Sequence, residues 1–228
     1  MKISICTVAP ETFEGFLQGK VLQRAVRNGA LSLELIDIRT FAGGSFRHLD
    51  DNTFGGGTGQ VLRVDPVVKA IEAAKGDNTE AYVAALTPRG QVFSQKMARD
   101  LAELSHLVLV CGHYEGFDER IYHHVDGMIS IGDFVLTGGE LASQVVTDAV
   151  VRLLPGVLKD EATQDESFET GLLEYPQYTQ PADYHGDKVP EVLLSGNHAA
   201  IEAWRKEQAR LVTEKFRPDL LESDRKNE

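Results

Sequence analysis

The chain has 228 residues, 42% of them hydrophobic and 25% charged, with a formal net charge of −12. That length suits one ordinary domain plus a smaller one and is enough to bury a substantial core. The balance excludes a disulfide scaffold, since there are two cysteines, and a spanning helix, since no run reaches about 18 apolar residues; the acidity argues against a polyanionic partner unless basic residues gather locally.

The first apolar run, KISICTVA, reads as a buried strand ended by Pro10 and too short for a signal peptide. A helix-like span follows from Thr12 to Asn28, closed by Gly29, and LSLELIDI alternates like a half-buried strand. Asp65 and Pro66 pair as N-cap and first turn for VVKAIEAAKG, which Gly76 stops. Next come the strand AYVAALTP, a helix near Gln95 to Leu104 and the strand LVLVCG. A short helical stretch over Asp118 to His124 precedes GMISIG, and an amphipathic run from Glu140 to Leu154 ends at Pro155-Gly156. Alternating β and α units predict an α/β domain with a largely parallel sheet and helices on both faces. Cys6 and Cys111 fall in strand-like runs and read as small core residues of a reduced, cytosolic protein.

Beyond residue 157 the pattern loses its period through 185, as a linker and loop region would. Asn197 can cap HAAIEAWRKEQARLVTEKF, a helix ending before Pro218, so the C-terminal part is a small helical domain. Arg39, Arg47 and Arg63 surround a glycine run, and Arg205, Lys206, Arg210, Lys215 and Arg217 cluster near the C-terminus. The latter alternate with Glu202, Glu207 and Glu214, which also fits a solvated helix face.

The glycine run FGGGTGQ at 54–60 lacks the Lys-Ser/Thr of a nucleotide-cradling loop and does not link a strand directly to a helix. As an isolated motif it is either a plain turn or a ligand loop. In a parallel sheet ligands sit beyond the carboxyl ends of the strands, which directs attention to LTPRGQ (86–91), CGHYEGFDER (111–120) and SIGDFVLTGGE (130–140). The last wraps an apolar run in glycines, as a backbone enclosing a flat apolar ligand such as an adenine would.

The segments DDNTFGGGTG, VCGHYEGFDER, SIGDFVLTGGE, LLPGVL, GLLEYPQYTQP and VPEVLLSGNHAAIEAWR closely resemble the bacterial tRNA (guanine-N1-)-methyltransferases, the TrmD-type enzymes of the SPOUT superfamily. The resemblance implies a SPOUT-type knotted parallel sheet at 1–158 that binds S-adenosylmethionine. It also implies a flexible linker at 159–173, a C-terminal helical tRNA-binding domain at 174–228, and a cytoplasmic homodimer with its active site shared between subunits. Carried over, Leu86, Gly112, Ile131, Gly132, Asp133, Phe134, Val135, Leu136, Gly138 and Gly139 would hold the cofactor. Asp50, Gly55, Gly56, Gly57 and Gly59 would face the target guanine, which follows the anticodon at tRNA position 37.

Glu115 and Arg152 fall on family functional positions, Arg152 near the base. In the linker Glu166 holds the general-base slot, where the family carries aspartate, with Asp165 beside it. His113 replaces the arginine before Tyr-Glu-Gly, Thr58-Gly59-Gln60 replaces Pro-Gly-Met, and Phe46 replaces a frequent loop histidine. No dedicated protein metal site is expected, although Glu115 and the linker acids could hold magnesium through water. The alternatives are another SPOUT RNA methyltransferase and a non-enzymatic nucleotide-binding module, the latter favoured only by the acidity.

Overall fold

The computed structural model describes residues 1–43, 48–159 and 166–224, without side chains for 222–224. Phe46, Arg47 and Asp165 lie outside the described residues. The chain divides into two compact units, Met1–Leu158 and Lys159–Glu228.

In the first unit the apolar runs become strands β1 (Lys2–Thr7), β2 (Ser32–Asp37), β5 (Tyr82–Val92), β6 (His106–Cys111) and β7 (Gly127–Ser130). They form one sheet in the order β2-β1-β6-β5-β7, every pair parallel. Because successive side chains alternate between faces, two cores result. Ile3, Ile5, Leu107 and Leu109 pack with α2 (Lys20–Arg27), α4 (Gln95–Ala102) and α5 (Glu140–Val151). Cys6, Val108 and Val110 pack with α3 (Val64–Lys75) and Ile121. Each fully buried aliphatic side chain contributes about 1.5–3 kcal/mol. Both cysteines are free and buried, and burial pushes the Cys6 thiol up to about 12, with Glu34 adding to it. No helix among the described residues is long and apolar enough to cross a membrane.

Two expected elements differ. The span Thr12–Asn28 is broken into a 3-10 turn (Pro10–Phe13), a single turn α1 (Glu14–Leu17) and α2, because Gly19 sits in an extended conformation with ψ 130°. Helix α3 starts at Val64 behind Arg63, so Asp65 is a first-turn acid and not the cap. It still interacts favourably with the helix N-terminus.

A separate antiparallel hairpin, β3 (Asp50–Asn52) and β4 (Gln60–Leu62), carries the glycine run as its connection. In the second unit a short hairpin, β8 (Asp183–Tyr184) and β9 (Asp187–Lys188), precedes α6 (Glu191–Leu194), α7 (His198–Phe216) and α8 (Pro218–Asp224). Asn197 caps α7 by accepting from the Ala200 N–H at 3.2 Å. Along α7, Lys206 pairs with Glu202 at 2.7 Å and Arg210 with Glu207 at 2.9 Å and Glu214 at 3.2 Å. The solvated-face reading therefore holds for these charges, whose exposed pairs are screened by solvent.

Candidate active site

The middle of β5, where its pairing with β7 is interrupted, and the carboxyl ends of β6 and β7 open into a cleft of about 200 Å³. Its floor is the point where three loops cross with almost no side-chain bulk between them. The Gly139 N–H donates to the Gly112 carbonyl at 2.7 Å, and Gly138 bridges His113 in antiparallel fashion. A Cβ on Gly139 would stand 2.8 Å from the Cys111 Cα, so this glycine serves close approach of two backbones. Glycine also lets β5 lie close against its neighbour β7: a Cβ on Gly90 would stand 2.4 Å from the Ile129 N.

Of the expected cofactor residues, Leu86, Gly112, Ile131, Gly132, Phe134, Val135, Leu136, Gly138 and Gly139 all line this cleft, with Glu115. Asp133 is exposed and is not among the lining residues. The Phe134 ring folds over Gly132, where an added Cβ would meet Cε1 at 2.7 Å. Beneath the glycine pair, the buried Glu140 opens α5 and accepts from the Thr7 hydroxyl at 2.7 Å. That bond ties the end of β1 to the cleft floor.

Several lining residues were not singled out from the sequence. Thr87, Pro88, Tyr114, Phe117 and Ser130 are among the further wall residues, and His113, which departs from the family pattern, lines the cleft too. All of these lie in the stretches 86–91, 111–120 and 130–140 that the sequence points to, although Thr87 and Pro88 belong to β5 and not to a loop after it. The sequence does not signal the left-handed backbone of Tyr114 (φ 57°), which is rare outside glycine. Burial raises the Tyr114 phenol, and the Asp50 carboxylate adds to the shift.

The glycine hairpin is fastened to this same cleft. Along β4 the Glu115 N–H donates to the Gln60 carbonyl at 3.0 Å, Leu62 to Gly116 at 2.9 Å and Asp118 to Leu62 at 3.0 Å. Gly59, at φ 87°, lies directly against Glu115: a Cβ there would stand 2.3 Å from the Glu115 Cγ. Only glycine fits both that backbone and that space. Gly55, Gly56 and Gly57 also have positive φ and form the exposed hairpin tip beside Phe54. Asp50 opens β3 opposite Leu62.

Arg152 caps the far end of α5, twelve residues beyond Glu140. At 1.5 Å per residue that is about 18 Å along the helix from the cleft floor. Glu166 belongs to the second unit, where its carbonyl accepts from the Glu169 N–H at 3.2 Å. Close by, the Ser167 hydroxyl accepts from the Glu174 N–H at 3.0 Å, and Leu173 donates to the buried Thr213 hydroxyl at 2.8 Å. Among the described residues no group of three or more His, Cys, Asp or Glu is placed to hold a metal ion.

Comparison with known proteins supplies what geometry alone does not. Residues 1–223 match the family model described as tRNA (Guanine-1)-methyltransferase TrmD. The chain is 50% identical over 224 residues to a tRNA (guanine-N(1)-)-methyltransferase of Staphylococcus epidermidis, covering 97% of this chain and 91% of that protein. It is 49% identical over 224 residues to the protein of that name from Geobacillus kaustophilus, covering 97% and 92%. For Ureaplasma parvum the identity is 46% over 223 residues, covering 97% of each. With the family model spanning nearly its whole length and relatives of this identity, the chain belongs to the TrmD family of tRNA (guanine-1)-methyltransferases.

Proposed function

We propose that this chain transfers the methyl group of S-adenosylmethionine to N1 of a tRNA guanine, the guanine at position 37 beside the anticodon, in the cytoplasm. The observation that carries the reading is the fastening of the exposed glycine hairpin to the wall of an apolar, glycine-floored cleft through Gly59 and Glu115. A ligand in the cleft and a base against the hairpin would be neighbours. The cleft suits a flat, largely apolar group: Leu86, Ile131 and Leu136 offer apolar walls, and the glycine crossings leave backbone groups within reach. The trefoil knot of the SPOUT fold is part of the same proposal.

When bound, S-adenosylmethionine supplies a methyl already activated by its sulfonium. The protein's task is then to align the guanine N1 in line with that methyl and to remove the N1 proton. Glu166, with Asp165 as the neighbouring candidate, would accept the proton as the N–C bond forms. The Arg152 guanidinium would stabilise the negative charge that builds toward O6. A second subunit is part of the proposal, because Arg152 lies at the opposite end of α5 from the cleft of its own chain. Leu141 and Val145, one turn apart on α5, are exposed apolar residues of the kind that pack in a homodimer. The C-terminal unit would hold the tRNA, with Tyr178 beside Trp204 and Arg205 over the Tyr175 ring at 4.8 Å as stacking groups.

The test is methylation of an unmodified tRNA transcript by the purified protein with labelled cofactor. Label on N1 of the base at position 37, lost when that guanine is replaced by adenine, is the expected result. Label on a ribose hydroxyl, or none, would refute the reading.

A further inference from the structure

The two walls of the cleft belong to different segments, and their spacing needs a physical cause. One wall is Thr87-Pro88. These residues lie where the pairing of β5 with β7 is interrupted: Leu86 and Gln91 are both opposite Ile129, so 87–90 leave the ladder as an excursion. Pro88 has no N–H to donate, and Pro88 and Arg89 are exposed. The other wall is the loop from Gly112 to Phe117, which leads through Asp118 into the 3-10 turn Glu119–His124.

Arg89 joins them. Its guanidinium donates to both Glu119 oxygens, at 2.6 Å and 3.0 Å, and lies over the Tyr122 ring at 4.6 Å. The Tyr122 hydroxyl is 3.4 Å from the Thr87 hydroxyl, and its ring meets Phe117 edge-on at 5.9 Å. Phe117 in turn backs Gly112, where a Cβ would meet its ring at 3.1 Å. The chain of contacts thus runs from one wall through Arg89, Glu119, Tyr122 and Phe117 to the other. The fork geometry matters, because a two-pronged arginine–carboxylate pair fixes orientation as a point charge does not. Arg89 is not itself among the lining residues.

We propose that Arg89 is a positioning residue: its clasp on Glu119 and Tyr122 holds the Thr87-Pro88 wall at the spacing the cofactor's flat base requires. The inference rests on the assignment of this cleft to S-adenosylmethionine. Because the clasp acts before ligand arrives, its loss leaves a wall that must be ordered on binding, which weakens affinity and spares the chemical step.

The experiment is calorimetric titration with S-adenosylmethionine and its demethylated product, together with steady-state methylation, on the parent, Arg89→Ala, Arg89→Lys, Glu119→Gln and the Arg89→Ala/Glu119→Gln double variant. Breaking an exposed but two-pronged and stacked pair should raise Kd for both ligands roughly five- to tenfold. Arg89→Lys should recover part of the loss, and the double variant should be no worse than Arg89→Ala. At saturating cofactor, kcat and the KM for tRNA should stay within about twofold of the parent, as expected for a residue remote from the reacting atoms. Unchanged cofactor Kd in both Arg89→Ala and Glu119→Gln would overturn the proposal. So would a raised KM for tRNA with unchanged cofactor Kd, which would mark Arg89 as a phosphate contact. Failure of the parent itself to bind either ligand would instead remove the assignment of the cleft, and this inference with it.

Discussion

Replacing Gly139 by alanine tests the crossing that floors the cleft. Gly139 has φ −81° and ψ −4°, which any residue adopts, so the substitution introduces no backbone strain of its own. The whole effect is steric: the new Cβ would stand 2.8 Å from the Cys111 Cα, 2.8 Å from the Gly112 N and 3.1 Å from the Cys111 Cβ. Carbon atoms rest about 3.5–4.0 Å apart, so the two backbones must part by roughly 0.7 Å or more. Neither can swing aside as a side-chain tip could. The Gly139 N–H bond to the Gly112 carbonyl, now 2.7 Å, would stretch to about 3.4 Å, outside the range of a sound N–H···O bond. Overpacking of this kind costs about 1–3 kcal/mol and the lost bond about 1 kcal/mol, so a loss of about 2–4 kcal/mol is expected. Urea unfolding followed by circular dichroism is the suitable assay, because the single tryptophan, Trp204, reports on the other unit. Calorimetric titration with S-adenosylmethionine on the folded variant should show binding weakened at least tenfold. Gly15→Ala is the control: nothing lies within 4 Å of its added Cβ, and it should be neutral or stabilising by up to about 1 kcal/mol. Parental stability and affinity in Gly139→Ala would refute the account of the crossing.

Glu166→Gln should lower single-turnover methylation by about 100-fold or more while sparing cofactor and tRNA binding, with Asp165→Asn milder; the reverse order would move the base to Asp165. Verified mixed dimers of an Arg152→Ala subunit with a Glu166→Gln subunit should regain activity if one site draws on both chains, and no recovery would argue for a site within one chain. His106 is buried with Nε2 3.0 Å from the Ser4 hydroxyl, and desolvation, helped by Lys2 and opposed by Glu34, holds its pKa below the ordinary 6.5. The unfolded chain therefore binds more protons there, so stability should fall as pH drops below about 6.5, by at most about 1.4 kcal/mol per pH unit. His106→Gln should flatten that slope in urea midpoints measured across pH; an unchanged slope would assign it to other groups. The Thr147 hydroxyl is fully buried, and among the described residues it has no hydrogen-bond partner. Thr147→Val should raise stability by about 1 kcal/mol, and a lower urea midpoint would show that the hydroxyl is satisfied in solution.

Local chemistry sufficed for much of this chain. The buried strands KISICTVA and LVLVCG, the Asn197 cap and the stop at Gly76 were legible because apolar runs and capping residues act over a few positions. The family's motif segments also pointed to the residues that gather around the cleft. Even local signals failed where two competed: helical periodicity ran through Gly19, where the backbone is extended, and Asp65-Pro66 looked like a start although α3 begins at Val64. What no local pattern could reveal was which distant backbones touch. Gly59 against Glu115, Gly139 against Cys111, and Leu86 and Gln91 both opposite Ile129 arise from packing across long separations. The same holds for the left-handed turn at Tyr114, which no intrinsic preference of tyrosine selects. A glycine in a sequence says that a side chain is absent; only the folded chain determines what fills the space.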